Sequence, residues 1–261
     1  MTETTHDWPA PAPGAAPLPQ MIGAQASLEL RTLLRNGEQL VLTLIIPVLL
    51  LVAFSQDDLV SYPGHSRIDF LAPGILALAV MSTAFTSQAI ATGFERRYGV
   101  LKRLGATPLS RRGLIAAKTL TVLAVEVLQA VVIVAVALGI GWHARGGAAA
   151  AAGAVLLIVA GTAAFSGLAL LLAGTLRAEA TLAAANLIYL IMLGIGGVVF
   201  PLTKFPAGSR HVLNLLPADA LAGGLRSMLQ NGTGLPWRDL LVLLIWAAAG
   251  IGLAVRAFRW E

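Results

Sequence analysis

The sequence predicts an all-α membrane protein of six transmembrane helices, and three observations carry that prediction. Hydrophobic residues make up 57% of the 261, charged residues only 12%, and the mean hydropathy is +0.80. Such a composition does not describe a water-exposed surface, so lipid has to be the solvent. A helix needs about 20 mostly apolar residues to cross the hydrocarbon layer. Runs of that kind occur at Gln39 to Ser55, Phe70 to Phe94, Thr119 to Trp142, Ala148 to Leu176, Leu182 to Phe200 and Leu240 to Val255. The third observation is the placement of charge, which is concentrated between the runs. Pro47 and Pro73 fall inside the first two, where neighbouring helices can satisfy the carbonyls that proline frees.

Charge asymmetry sets the expected orientation. Arg96, Arg97, Lys102, Arg103, Arg111, Arg112 and Lys118 lie between the second and third runs, whereas Asp57, Asp58 and Asp69 face a single Arg67 between the first and second. Basic loops stay in the cytoplasm, so this loop is expected inside and both termini with it, in a cell inner (plasma) membrane. Residues 1–20, rich in Pro, Ala and Thr, read as a disordered cytoplasmic tail without the pattern of a signal peptide. Residues 21–261 read as one six-helix domain. Within it, Met21 to Glu38 sets Leu30, Leu33 and Leu34 near Arg31, Arg35 and Glu38, the pattern of an interfacial amphipathic helix or of a plain extension of the first span.

Several chemistries are excluded at once. There is no cysteine, and His6, His65, His143 and His211 show no ligand spacing, so disulfides and metal sites are not expected. The +5 formal charge suits topology better than nucleic-acid binding in a chain this apolar. No G-x-x-x-x-G-K-[ST] stretch occurs, so the chain carries no loop to cradle nucleotide phosphates.

The segment 94–118 reads FERRYGVLKRLGATPLSRRGLIAAK and is too charged to cross lipid. Glu95 begins a helical stretch, and Gly105, Thr107 and Pro108 break it. By charge alone it is an ordinary cytoplasmic loop. Its order of residues resembles the type-2 family of ATP-binding-cassette exporter permeases, drug-resistance branch, in which an E-R-x-x-G-x-L-x-x-L-x-x-T-P-like stretch follows the second span. Glu95, Arg96, Gly99, Leu101, Leu104, Thr107 and Pro108 match it; the family often carries an acidic residue where Arg97 lies and closes the segment with a Gly-Lys pair where Ala117 and Lys118 stand. Phe200, Pro201, Leu202, Leu216, Pro217, Leu225 and Arg226 extend the likeness towards the last helix. The resemblance implies a coupling helix seated in a separate nucleotide-hydrolysing subunit, with Glu95, Arg96, Gly99, Leu101, Leu104 and Pro108 contributing most. It also implies two copies of that ATPase, which would bring ATP and Mg, and a second permease, identical or related. In this chain no cofactor is expected.

Between the fifth and sixth runs, Pro201 to Trp237 holds two apolar stretches, neither long enough to cross. They suit an extracytoplasmic re-entrant hairpin, with Asp219 and Arg226 seven residues apart on one helical face. Deep in the third run lie Glu126 and Gln129. Two readings of Glu126 stand: a structural group that reaches Lys118 or stays protonated, or a pathway residue for a cationic substrate. The second run adds Ser82, Thr83, Thr86, Ser87 and Gln88, the fifth Asn186 and Tyr189, and the fourth Gly153, Gly161 and Gly167, all suited to helix packing or to lining a pathway.

The function expected is therefore export of a hydrophobic or amphipathic compound, a drug, lipid or similar, by alternating access coupled to a separate ATPase. An ion-coupled secondary transporter should show interrupted helices or several buried acids, and Glu126 stands nearly alone. An intramembrane enzyme should show a catalytic constellation, and none is grouped here. A noncatalytic assembly or regulatory subunit also fits the architecture. Membrane lipid is an expected partner and nucleic acid is not.

Overall fold

The computed structural model describes residues 14–35, 37–56, 66–198 and 205–257. All regular structure among the described residues is helical. In order these are α1 Leu18–Arg35, α2 Gly37–Gln56, α3 Arg67–Val80, a π-helical segment Met81–Ser87, α4 Gln88–Arg97, α5 Val100–Gly105, α6 Arg111–Gly139, α7 Gly147–Thr175, α8 Ala178–Ile195, α9 Ala207–Leu213, α10 Pro217–Leu229 and α11 Trp237–Ala257. Among the described residues, five helices are long and apolar enough to cross a membrane: Arg67–Arg97, α6, α7, α8 and α11. In the first expected span the apolar helix among the described residues is the shorter Thr43–Gln56.

α1 takes in Leu18–Gln20, which composition assigned to the tail, with Pro19 in the first turn where its missing N–H costs nothing. Residues 1–13 and the Phe200, Pro201 and Leu202 resemblance lie outside the described residues. The expected second span is too short at both ends. α3, the π segment and α4 run on as 31 residues, Arg67–Arg97. The third begins at Arg111 rather than Thr119, because Ser110 caps α6 by accepting the Gly113 N–H at 3.1 Å. Helices of this length extend past the hydrocarbon layer, so their charged ends need not enter it.

The π segment falls where Ser82, Thr83, Thr86 and Ser87 cluster, and Thr83 there turns its hydroxyl to Gln129 of α6. This rod is the centre of the bundle, with α2, α6, α7, α8 and α10 around it. Its core is built from small residues, Ala72, Ala77, Ala84, Ala160 and Ala169 between Leu71, Leu78 and Phe165. In lipid there is no hydrophobic drive between helices, so close fit has to hold them. α7 and α11 form the closest pair: a Cβ at Gly167 would stand 2.7 Å from the backbone nitrogen of Ile251.

Connections place two distinct ends. At one, the basic end, α4, α5, the start of α6 and the α7–α8 turn converge. At the other, Arg145 N–H donates to the Leu229 carbonyl at 2.8 Å, tying the α6–α7 connection to the end of α10. α10 packs against α3, α7 and α11. The Trp246 indole N–H donates to the Leu215 carbonyl at 2.8 Å. Trp246 lies nine residues into α11, about 14 Å along its axis.

Candidate coupling site at the basic end

α4 carries Glu95, Arg96 and Arg97 in its last turn. The chain then turns at Gly99, whose φ of 72° lies in the left-handed region that only glycine adopts without strain. α5 follows, one and a half turns long, and presents Leu101 inward with no exposed surface. Leu101, Leu109 and Leu114 form a small core of their own, against which Leu104 and, from α1, Met21 and Ile22 pack. The amphipathic helix therefore has an occupation: part of its apolar side covers the basic loop.

Beside this small core lies an ion cluster. The Lys118 ammonium sits 2.7 Å from Glu95 Oε2 and 3.2 Å from Glu29 Oε1, and the lysine is only 4% exposed. A buried ammonium is tolerable when opposite charges replace its water, and here two do. Three elements, α1, α4 and α6, meet in one cation. Arg96 donates to the Leu176 carbonyl at the end of α7, and Arg97 pairs with Glu179 at the start of α8. The latter pair is solvent-exposed and stabilises little.

The residues expected to couple thus divide. Glu95, Arg96, Leu101 and Leu104 are engaged within the chain, whereas Gly99 is half-buried and Pro108 is exposed. The outward surface of the loop consists instead of Lys102, Arg103, Thr107, Pro108, Arg111 and Arg112. Glu29 was not anticipated. The signal was Lys118 itself, a lysine set between Ala117 and Val122 on the buried side of a membrane helix, which demands a carboxylate from somewhere.

Inside the spans, Gln129 joins three helices: its carbonyl accepts from Thr83 Oγ1 at 3.1 Å and its amide donates to the Thr43 carbonyl at 3.0 Å. Glu126 does not reach Lys118, which Glu95 and Glu29 already occupy. Its Oε2 accepts from Thr162 of α7, and its Oε1 has no hydrogen-bond partner among the described residues. Asn186 donates to the Leu182 carbonyl one turn back at 2.9 Å and is exposed on a face of α8 shared with Leu187 and Leu190.

At the other end Arg226 is buried in α10. It donates to the carbonyls of Phe70, Gly197 and Val198, and its guanidinium stacks 3.7 Å above the Phe70 ring. Gly74 admits it, since a Cβ there would meet Arg226 Nη2 and the Val198 carbonyl, each at 2.6 Å. Asp219 is half-buried in the first turn of the same helix. Burial pushes its pKa up to about 6, partly offset by the charge of Arg226 and reinforced by Asp239.

The fold and these sites define a multi-pass helical membrane protein whose charged groups are gathered at helix ends and whose spans carry few polar side chains. Residues 24–229 match the family model of the ABC-2 type transporter, so the chain belongs to that family. It is also 27% identical over 205 residues to ABC transporter G family member 20 of Dictyostelium discoideum. That match covers 76% of this chain and 27% of the relative, so the chain spans about a quarter of the relative's length.

Proposed function

We propose that the chain is the membrane-spanning subunit of an ATP-driven exporter, with the basic end in the cytoplasm and α5 seated in a separate ATPase. The observation that carries this reading is the anchoring of α5. Its apolar side is fixed by Leu101 to α1 and α6, the ion cluster ties α1, α4 and α6 together beside it, and its basic side is left outward. A short helix held in this way moves as one body with the spans on either side of it, which is what transmission of an ATP-driven displacement requires. Arg103, Pro108 and Arg111 are the surface offered to the partner, where exposed charge selects the docking surface and its register.

Six spans follow in this reading, with Gly37–Gln56 as the first, and the α9–α10 hairpin enters the outer leaflet. The Trp246 to Leu215 hydrogen bond supports that depth. A second permease covers α8, where Asn186 would otherwise face lipid. Two ATPase copies then complete a two-fold assembly in a cell inner membrane, with both termini cytoplasmic, and ATP and Mg are held by the partner. The cargo is a hydrophobic or amphipathic compound, consistent with the sparse charge of the spans.

The test is purification of the tagged chain from its own membranes, followed by reconstitution into vesicles. A nucleotide-hydrolysing subunit should co-purify, and rhodamine 6G should be moved only when ATP is supplied. Movement that follows an ion gradient without nucleotide, and is lost in Glu126→Gln, would assign the chain to secondary transport instead. A complex with ATPase but without movement of any amphiphile would make it a regulatory subunit.

A further inference from the structure

A cavity of about 490 Å³ lies between α1, α2, the π segment, α4, α5 and α6, next to the ion cluster. That volume falls within the roughly 300–1,000 Å³ of small-molecule sites. Its wall is mainly apolar, with Leu28, Leu33, Val122 and Val125 among the residues that form it. Set into that wall are three features, of which the coupling role uses only the ion cluster.

The first is Gln88. It lines the cavity, is only 6% exposed, and neither atom of its amide has a hydrogen-bond partner among the described residues. Thr92, one turn further along α4, lines the same cavity and its hydroxyl is equally buried and unpartnered. Buried polar groups without partners cost stability, so their retention in a cavity wall points to something that visits it.

The second feature is charge. The ionised groups of the lining are Glu29, Glu95 and Lys118, two carboxylates against one ammonium, which leaves one negative charge in excess. The nearby Arg96 and Arg97 do not cancel it within the cavity, since they turn to the Leu176 carbonyl and to Glu179. The third feature is aromatic. Phe94 and Tyr98 both line the cavity and stack with ring centroids 6.1 Å apart, on either side of Glu95 in the sequence. Phe94 is half-buried and Tyr98 is 69% exposed, so the pair stands at the rim of the cavity, where ring faces beside a carboxylate attract cations that carry little water.

We propose that this cavity is a binding site for a lipophilic cation, an organic ammonium or phosphonium whose apolar substituents fill the space between α1 and α6. Phe94, Tyr98 and the excess carboxylate hold the charge. An anionic amphiphile is repelled by the same carboxylates. Because all of its lining belongs to one chain, the site requires neither the ATPase nor a second permease to hold its cation.

The experiment is equilibrium binding of radiolabelled tetraphenylphosphonium to the full chain in phosphatidylcholine nanodiscs without nucleotide, with empty nanodiscs as the background. Saturable binding of one cation per chain is expected, and tetraphenylborate, its anionic counterpart, should not compete. Glu29→Gln removes the excess charge while Lys118 keeps Glu95, and should weaken binding by about tenfold. Leu28→Arg serves as the second variant. Leu28 lines the cavity from a largely exposed position, so the substitution spares the fold and adds a repelling charge. Leu28→Arg should unfold at close to the parent temperature, and Glu29→Gln, which leaves Lys118 paired with Glu95, somewhat below it. Non-saturable uptake, equal competition by the borate, or unchanged affinity in both variants would overturn the proposal, and none of these results bears on whether an ATPase drives export.

Discussion

Lys118 in α6 and Glu95 in α4 meet at 2.7 Å, and the same ammonium lies 3.2 Å from Glu29 in α1. Removing the lysine leaves two carboxylates facing each other in a largely buried place. Breaking a buried pair costs about 3–5 kcal/mol, and the partial exposure of both glutamates lowers this to about 2–3 kcal/mol. Lys118→Met should therefore unfold well below the parent in detergent, and adding Glu29→Gln with Glu95→Gln should recover much of the loss. Equal melting of Lys118→Met and the parent would show that the cluster does not hold the three helices.

A second prediction concerns pH. Burial raises the Asp219 pKa to about 6, above its unfolded value near 4. The folded state then binds more protons than the unfolded one between these values. The contribution is fully present below about pH 4 and is lost as pH rises through about 6, with little further change above. After allowance for solvent at this half-buried site, its size is about 1–2 kcal/mol. Thermal unfolding from pH 4 to 7 should show this decline in the parent and lack it in Asp219→Asn. A slope that persists unchanged in the variant would assign the effect to another group.

The helical class and most of the apolar runs were legible because lipid imposes length and polarity on each span separately, whatever its neighbours. The basic loop was legible for the same reason: Arg103 and Arg111 cannot enter lipid. What could not be read was pairing across the chain. Of the readings open to Glu126, reaching Lys118 is closed because that lysine is taken by residues from α1 and α4, and Glu126 turns to Thr162 of α7. Leu101 shows the same limit. Its burial depends on Met21 and Ile22 of α1 and on Leu114 of α6, residues distant from it in the chain. Helix lengths were underestimated because α3–α4 and α6 project beyond any lipid layer, and composition registers only the part within it.

Arg226 supplies a third prediction. Its guanidinium gathers the Phe70, Gly197 and Val198 carbonyls, so it joins α10 to the start of α3 and to the end of the α8 segment. Arg226→Leu leaves those carbonyls without this donor and removes the stacking on Phe70, a loss of about 2–4 kcal/mol. Gly74→Ala attacks the same place without changing charge, because its methyl must displace the Val198 backbone as well as a flexible side-chain tip. A cost of about 1–3 kcal/mol is expected for it. Since both act on one contact, the double variant should cost less than the sum of the two. Strict additivity, measured by thermal unfolding, would show that Gly74 and Arg226 are not one structural unit.

The last prediction separates anchoring from docking within α5. Leu101 is fully buried in the small core with Leu109 and Leu114, whereas Arg103, two residues on, is exposed. Leu101→Ala should cost about 2–4 kcal/mol and loosen α5 from α1 and α6. Arg103→Glu should change stability by no more than about 0.5 kcal/mol, as surface substitutions do. If α5 docks into an ATPase, the order reverses when the assembled complex is assayed: Arg103→Glu, with its fold intact, should reduce nucleotide hydrolysis and co-purification of the partner. Restoration of both by an acidic-to-basic change on the partner would locate the contact. A complex in which Arg103→Glu leaves assembly and hydrolysis at parental levels would move the docking surface elsewhere on the basic end, to Arg111 and Arg112.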